Sequence, residues 1–263
     1  MEYPLFFFIF GCTEPPIEAP IEVHALSSFL FHHFSSEDEQ ILENGVSNMY
    51  NWLNQEDNFA QMKEGFSIQP LSDEARYHIS FEERPIEGTM IGISLVEDVS
   101  YSTSLIAEGL FVEDWSEISD TYLEYERTFS RDPICLLQRS CTGLEYEVFS
   151  TSSWLNGLLT GVSNIQGQVR WLETELGWVL MQRFWLQSPI DVSPDLGFAI
   201  YQQYYLHLSI PSGEDVIRIQ MMWMDGNYKE GLFDQDWGIS QTLSSIQKEN
   251  AALISWLEQR NND

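Results

Sequence analysis

The chain has 263 residues, 43% of them hydrophobic and 14% aromatic, so it is too apolar to be disordered throughout and should bury a sizeable core. Its formal net charge is −29, from 41 acidic and 12 basic residues. Such a surface repels phosphate backbones, which argues against a nucleic-acid partner, and its acidity is typical of a well-solvated exterior.

An apolar run stands near the N-terminus. The residues from Pro4 to Phe10 have no polar side chain. They are too few to cross a bilayer, which needs about 20, but they fit the core of a secretory signal. The segment that ends the run, Ile9-Phe10-Gly11-Cys12, resembles the lipobox of bacterial lipoproteins. An apolar N-terminal strand with an ordinary buried cysteine is the alternative.

The lipobox resemblance implies a location and a membrane anchor. Cys12 would become the first residue of the mature protein and be acylated, which would hold the protein on the periplasmic or cell-surface face of the bacterial cell envelope. The acidic, proline-rich residues 13–23 then predict a tether after a signal segment at 1–12. Residues 24–263 are predicted to form a single globular domain. If that domain has two lobes, they should divide near Asp132.

The first half of the domain begins with a predicted helix. Residues Ser36 to Glu39 have the pattern of a capping box. Apolar residues at helical spacing follow it: Leu42, Val46, Met49 and Leu53. The period then changes to two, and four segments are predicted as antiparallel strands: "RYHISFEER", "MIGISLVED", "SLIAEGLFVE" and "TYLEYERTF".

The second half is predicted to contain a sheet between two helices. The segment "STSSWLNGLLTGV", residues 150–162, predicts a helix. Four strands joined by short turns follow and predict a meander: "GQVRWLETE", "GWVLMQRFWLQS", "FAIYQQYYLHLSI" and "VIRIQMMWM". The C-terminal helix is predicted to begin at Asp236, with Asn250 interrupting an apolar face of Ile239, Leu243, Ile246, Leu253 and Leu257.

This order of elements predicts an α+β fold with a mainly antiparallel sheet and packed helices, including a long C-terminal one. A sheet that closes around a long C-terminal helix resembles the helix-grip, or START-like, architecture. The resemblance is one of element order and implies nothing about function.

Two cysteines occur beyond the N-terminal segment, Cys135 and Cys141. On one straight strand their Cα atoms would be about 20 Å apart, at about 3.3 Å per residue, which is too far for a disulfide. They could join only if the chain turned between them. Because Leu136 and Leu137 are typical of a strand interior, the pattern favours two reduced, buried cysteines.

No motif with a recognisable reaction is present. The sequence has no G-x-S-x-G elbow, no P-loop and no H-E-x-x-H. The adjacent His32 and His33 point apart and have no third ligand at zinc spacing. In the loop "DGNYKEGLFDQD", Lys229 occupies a ligand position of a calcium loop and Gly231 falls one position late. The sequence therefore predicts no catalytic residue, no metal and no cofactor.

One polar row on the predicted sheet carries positive charge. If "PSGE" is a four-residue hairpin loop, Ile210 pairs with Asp215, and His207 then lies opposite Arg218 on the same face as Tyr205. Arg183 on the neighbouring strand would extend the row, although the sequence does not fix its register. Arginines and a histidine on one surface predict a site for an anionic head group or carboxylate. A wet outer face, whose arginines pair with nearby acids, is the alternative.

Two hypotheses about function follow. The lipobox and the lack of a catalytic motif predict a non-catalytic envelope protein with a structural role or a protein partner. The alternative is a carrier or sensor of a small amphipathic or anionic ligand, held between the antiparallel sheet and the C-terminal helix. That ligand would contact nearby aromatic residues and the polar row: Arg183, Tyr205, His207 and Arg218.

Overall fold

The computed structural model describes residues 17–55, 57–80, 85–154, 159–193, 198–228 and 234–262. The predicted lipobox, and residues 229–233 of the loop compared with a calcium site, lie outside these ranges. Within them, no three His, Cys, Asp or Glu side chains are placed to share a metal ion. No helix in the same ranges has both the length and the hydropathy that crossing a bilayer requires.

The described residues form seven α-helices and nine β-strands. The helices are α1 (Val23–His32), α2 (Glu39–Leu53), α3 (Asn58–Lys63), α4 (Asp73–Ser80), α5 (Thr103–Leu110), α6 (Ile134–Leu137) and α7 (Gln235–Asn262). The strands are β1 (Phe66–Ile68), β2 (Thr89–Val99), β3 (Tyr122–Phe129), β4 (Gly143–Trp154), β5 (Leu159–Thr174), β6 (Gly177–Leu186), β7 (Ile190–Ser193), β8 (Phe198–Ser212) and β9 (Asp215–Gly226).

All nine strands belong to one antiparallel sheet. Eight of them follow the order β1-β2-β9-β8-β6-β5-β4-β3, and β7 pairs with β8. The strands on both sides of Asp132 are continuous in this sheet, because β3 pairs with β4. The predicted α+β fold, with a mainly antiparallel sheet and a long C-terminal helix, is confirmed.

One surface of the sheet, here called the helix face, is covered by α1 to α4. Its central side chains are Met181, Tyr204, Leu206, Leu208, Met221 and Trp223, which pack against apolar residues of α1 and α2. The predicted apolar stripe of α2 is buried as expected. The cap differs from the prediction, because the Asp38 carboxylate accepts the hydrogen bond from the Gln40 backbone N–H at 3.1 Å.

The opposite surface, here called the cavity face, is covered by α5 and α7. Ile246 of α7 packs against Ile93, Leu95 and Met222 of the sheet. Further along α7, Leu253 and Leu257 join a second apolar cluster with residues of α5, β4 and β5. The helix is capped by Asp234, whose carboxylate accepts from the Trp237 N–H at 2.8 Å, and not by the predicted Asp236.

Three predicted elements are wrong. The start of "RYHISFEER" belongs to α4, and residues 81–84 lie outside the described ranges. "SLIAEGLFVE" is largely α5, which the Ser102 hydroxyl caps by accepting from the Leu105 N–H. In place of the predicted helix over 150–162, residues 150–154 end β4 and residues 159–162 begin β5, with Ser150 opposite Ser163, and residues 155–158 lie outside the described ranges. In all three, long-range packing outweighs a short local pattern.

The prediction of two reduced cysteines is also wrong, because Cys135 and Cys141 form a disulfide with Cα atoms 5.3 Å apart. Residues Ile134–Leu137 form a helical turn and not a strand, and Arg139 then adopts the left-handed conformation, with φ at 55°. These two features turn the chain back on itself. The Arg139 guanidinium lies 4.7 Å from the centre of the Trp171 ring.

Candidate functional site

The hairpin of β8 and β9 brings most of the predicted polar row together. Asp215 pairs with Ser212 and not with Ile210, so the true register is shifted by two residues from the prediction. A shift by an even number keeps every residue on its face. Three residues of the predicted row therefore share the cavity face: Tyr205, His207 and Arg218.

Arg183 does not belong to this row. It pairs with Leu206 across β6 and β8, which puts it on the helix face. There its Nη1 donates to the Phe31 carbonyl at 2.6 Å, its Nη2 to the Ser35 hydroxyl at 2.8 Å and its Nε to Gln168 at 2.9 Å. The expectation that Arg183 extends the row is wrong because the register of β6 places Gln182 opposite His207 instead.

The alternative of a wet outer face is also wrong. His207 is 7% exposed and Arg218 only 2%, because α7 covers them. Arg218 Nη1 donates to the side-chain oxygen of Asn250 at 2.6 Å. The asparagine that interrupts the apolar face of α7 is therefore the partner of a buried arginine.

Between the cavity face and the first half of α7 lies a cavity of about 120 Å³, here called the apolar chamber. Its aliphatic and aromatic walls come from β5, β7, β8 and β9 and include Leu159, Ile190, Phe198, Ile200, Met222 and Met224. Trp237, Thr242 and Ser245 of α7 close the opposite side. Tyr205 also lines this chamber, and its ring stacks on Phe184 with the centroids 4.1 Å apart.

A second cavity of about 60 Å³, here called the polar chamber, adjoins the first. Both are lined by Tyr122, Ile165 and Glu249. The polar chamber is further lined by Arg127 and Arg218, together with His207, Gln182 and Gln220. The two chambers together therefore present an apolar space next to a small space with ionisable walls.

Burial perturbs the ionisable groups of the polar chamber. It lowers the pKa of His207 to about 3, with a further contribution from the charge of Arg218, so this histidine is neutral at pH 7. Burial also raises the pKa of Glu249, although the Tyr122 hydroxyl donates to its carboxylate at 3.1 Å and Arg218 attracts its charge. The pKa of Arg218 falls to about 10 through burial, so Arg218 stays protonated at pH 7.

Several polar atoms in the wall of the polar chamber lack a partner within the described residues. They are Trp115 Nε1, Arg127 Nε, His207 Nδ1, Arg218 Nε and Gln220 Oε1. Buried polar atoms in folded proteins are nearly always hydrogen-bonded to protein or to ordered water. The five atoms belong to side chains that surround one small space, and ordered water or a polar ligand in that space would satisfy them.

Sequence reasoning missed Tyr122, Arg127 and Glu249. Glu249 had a usable signal, because it lies between Ile246 and Leu253 at the helical spacing of the buried stripe. A carboxylate next to that stripe is unusual enough to suggest a buried role. Tyr122 and Arg127 come from β3, whose position at the edge of the sheet follows only from long-range pairing.

Comparison with known proteins gives no relative by sequence. No protein-family model matches the chain, and no curated protein does.

Solved structures that are similar in fold include proteins of the START type. One is a START superfamily protein from Mycobacterium smegmatis, at 12% identity and a TM-score of 0.40, covering 64% of this chain and 97% of the other. Another is a fragment of a STAR-related lipid transfer protein from Xanthomonas axonopodis, at 14% identity and a TM-score of 0.43, covering 66% and 90%. Human STARD10 has 12% identity and a TM-score of 0.40, with coverage of 74% and 85%. Likeness at this level describes the shape of the fold and not a ligand.

Proposed function

We propose that this protein is a carrier or sensor that holds a small amphipathic molecule between its sheet and α7. The observation that supports this is the apolar chamber next to the polar chamber, beneath one helix. A purely structural protein would gain stability by filling such a space, because a void forfeits packing contacts. The cavity therefore favours the ligand hypothesis over the structural one.

The size of the apolar chamber limits the ligand. Its volume of about 120 Å³ is close to that of an engineered apolar cavity of about 150 Å³ that binds benzene. A single ring or a short alkyl chain fits this space. The apolar part of the ligand would lie in this chamber, and its polar end would reach the polar chamber.

Filling the chamber tests the proposal. Ser245 lines the apolar chamber from α7, and its neighbour Ser244 does not. In the full chain, 1-hexanol and benzyl alcohol should raise the melting temperature of the unchanged protein, since a ligand that binds only the folded state stabilises it. Ser245→Phe should abolish that shift, whereas Ser244→Phe should keep it. No shift in the unchanged protein, or an equal shift in both variants, would refute the proposal.

We further propose that the protein is exported and tethered to a membrane through acylated Cys12. The lipobox-like residues that end at Cys12 support this, as does the Cys135–Cys141 disulfide, because disulfides persist mainly in oxidising compartments. The tether would keep the cavity close to a membrane from which amphipathic molecules partition.

Metabolic labelling with an alkyne fatty acid in a bacterial host tests the anchor. The unchanged chain should take up label and sediment with membranes, and Cys12→Ser should do neither. Thr13→Ala, which alters the neighbouring residue and keeps the thiol, is the control. Equal fractionation of the unchanged chain and Cys12→Ser would refute acylation.

A further inference from the structure

Hydrogen-bond donors outnumber acceptors in the wall of the polar chamber. Three of its unpartnered atoms, Trp115 Nε1, Arg127 Nε and Arg218 Nε, are N–H groups that can only donate. Trp115 is 7% exposed and Arg218 is 2% exposed, so bulk water does not satisfy them. An occupant that satisfies these atoms must bring acceptors.

Two acceptors close to these donors are already engaged, whereas Glu97 Oε2, which lies outside the chamber wall and attracts the charge of Arg218, has no partner within the described residues. The Glu249 carboxylate accepts from the Tyr122 hydroxyl, and the Asn250 side-chain oxygen accepts from Arg218 Nη1. Gln220 Oε1 is the one fixed acceptor among the unpartnered atoms of the wall, and a rotation of its amide would turn it into another donor. His207 Nδ1 can take either role, according to its tautomer. The chamber therefore needs an occupant rich in acceptors.

The formal charges point the same way. Two guanidinium groups, those of Arg127 and Arg218, line the polar chamber, and Glu249 is its one carboxyl group. The Glu249 carboxyl is buried in the same low-dielectric space, which disfavours its ionised form. Glu97, outside the wall, also attracts the charge of Arg218, and burial raises its pKa as well. Two guanidinium groups that stay charged therefore face two carboxyl groups whose ionised forms are disfavoured, in a protein whose net charge is −29.

On this basis, and resting on the proposed function, we infer that the polar chamber binds the carboxylate of a small monocarboxylic acid. Its two oxygens would accept from Arg218 Nε and Arg127 Nε, the unpartnered N–H groups of the two guanidiniums, and such charge-assisted hydrogen bonds are about twice as strong as neutral ones. The space of about 60 Å³ suits a group of this size. The alkyl or aryl part would lie in the apolar chamber, which shares Tyr122 and Ile165 with the polar one.

Three probes of the same length and different charge test the inference. Hexanoate, 1-hexanol and hexylammonium are titrated into the full chain at pH 7 by isothermal calorimetry. Hexanoate should bind at least about 10-fold more tightly than 1-hexanol, because a hydrogen bond to a charged group contributes more than a neutral one. Hexylammonium should bind most weakly of the three.

A matched pair of variants assigns the preference to one side chain. Arg218→Met keeps a long apolar stem and should reduce the preference for hexanoate over 1-hexanol to about 2-fold or less, with hexanol binding retained. Arg131→Met changes the net charge equally at an exposed position outside both chambers and should leave the preference intact.

The outcomes separate this inference from the proposed function. Binding of 1-hexanol without any preference for hexanoate, or with hexylammonium tightest, would overturn the carboxylate assignment and leave the cavity as a binding site. No binding of any of the three probes would overturn both. Because the three-probe comparison uses the unchanged chain, it decides the question even if Arg218→Met does not fold.

Discussion

Two buried arginines on the two faces of one sheet show how differently these faces are built. On the helix face, Arg183 has three hydrogen bonds, and its guanidinium lies near the rings of Phe31 and Phe34. On the cavity face, Arg218 has one hydrogen bond, to Asn250, and an unpartnered Nε. Burial lowers the pKa of both, to about 9 for Arg183 and about 10 for Arg218.

The difference in hydrogen bonding suggests a structural role for Arg183 and, under the proposed function, a ligand-binding role for Arg218. The three hydrogen bonds of Arg183 are all made to groups of the fold. Arg218 has an Nε without a partner within the described residues, and the proposed ligand would supply the missing acceptor. Burial alone would not have distinguished the two, because both side chains are almost fully covered.

The largest change in stability is expected when each of the two arginines is replaced with leucine. Arg183→Leu should lower the free energy of unfolding by about 4 kcal/mol, because it leaves the buried Phe31 carbonyl without this donor and removes two part-buried hydrogen bonds. Arg218→Leu should lower it by about 2 kcal/mol, because only one hydrogen bond is lost and only the buried Asn250 oxygen is left without its donor. Urea denaturation measures both. Equal losses would show that the two arginines have the same structural role.

Adjacent methionines on β9 provide a second matched pair. Met221 packs on the helix face and is fully buried, whereas Met222 lines the apolar chamber. Met221→Ala should cost about 3 kcal/mol of unfolding free energy, and Met222→Ala about 1 kcal/mol, because a side chain beside an existing cavity has fewer contacts to lose. Denaturant titration of both variants gives the two values. A larger loss for Met222→Ala would mean that the chamber is closed in solution.

The disulfide tests the stability of one end of the cavity face, where Leu136 of α6 packs. Cys135 and Cys141 are six residues apart, and closing so short a loop contributes about 2 kcal/mol. Replacing both cysteines with alanine should lower the free energy of unfolding by that amount. Dithiothreitol should destabilise the unchanged protein to the same extent and leave the double variant unaffected. A further loss on reducing the double variant would exclude this interpretation.

The last expected effect concerns pH. His207 is neutral in the fold, with a pKa of about 3, and takes up a proton on unfolding below its ordinary pKa of 6.5. Its contribution to stability is therefore present above pH 6.5 and is lost as the pH falls from 6.5 towards 3, by at most about 1.4 kcal/mol per pH unit. His207→Gln should flatten the fall in unfolding free energy between pH 7 and 4.5. Parallel curves for the two proteins would contradict the buried neutral state.

Other buried ionisable groups near the polar chamber set the background of this measurement. The raised pKa values of Glu97 and Glu249 give the opposite sign, because the folded state then holds protons that the unfolded state releases as the pH rises above about 4.5. Arg218 stays charged throughout the range. These groups are common to both proteins, so the difference curve reports His207.

The long strands and the α+β fold class could be predicted because alternation over many residues has one reading. The segments of β2, β6, β8 and β9 are of this kind, and their strands are confirmed. The segments that became α4 and α5 alternate over a similar length, but their apolar residues also fit one face of a helix, as Ile106, Ala107 and Leu110 do in α5, so alternation alone did not separate a strand from a helix. The cap at Ser102 was a usable signal that the alternation concealed.

Only the residues of the candidate site that lie on one hairpin could be predicted from the sequence. Tyr205, His207 and Arg218 lie on β8 and β9, so one tight turn fixes their shared face even when the loop length is wrong by two residues. Arg183 lies on β6, whose register with β8 depends on the intervening β7 and on packing against α1. The cavity itself depends on where α7 crosses the sheet, which no local pattern encodes.

The helices that cover the two faces of the sheet also differ in their order of synthesis. Translation produces α1 to α4 before most of the strands and α7 after all of them. A nascent sheet therefore has its helix face covered early, while α5 alone covers part of the other surface until the last 28-residue helix is made. The cavity face carries charged and amide groups, so before α7 is made it is less prone to aggregate than a fully apolar face would be.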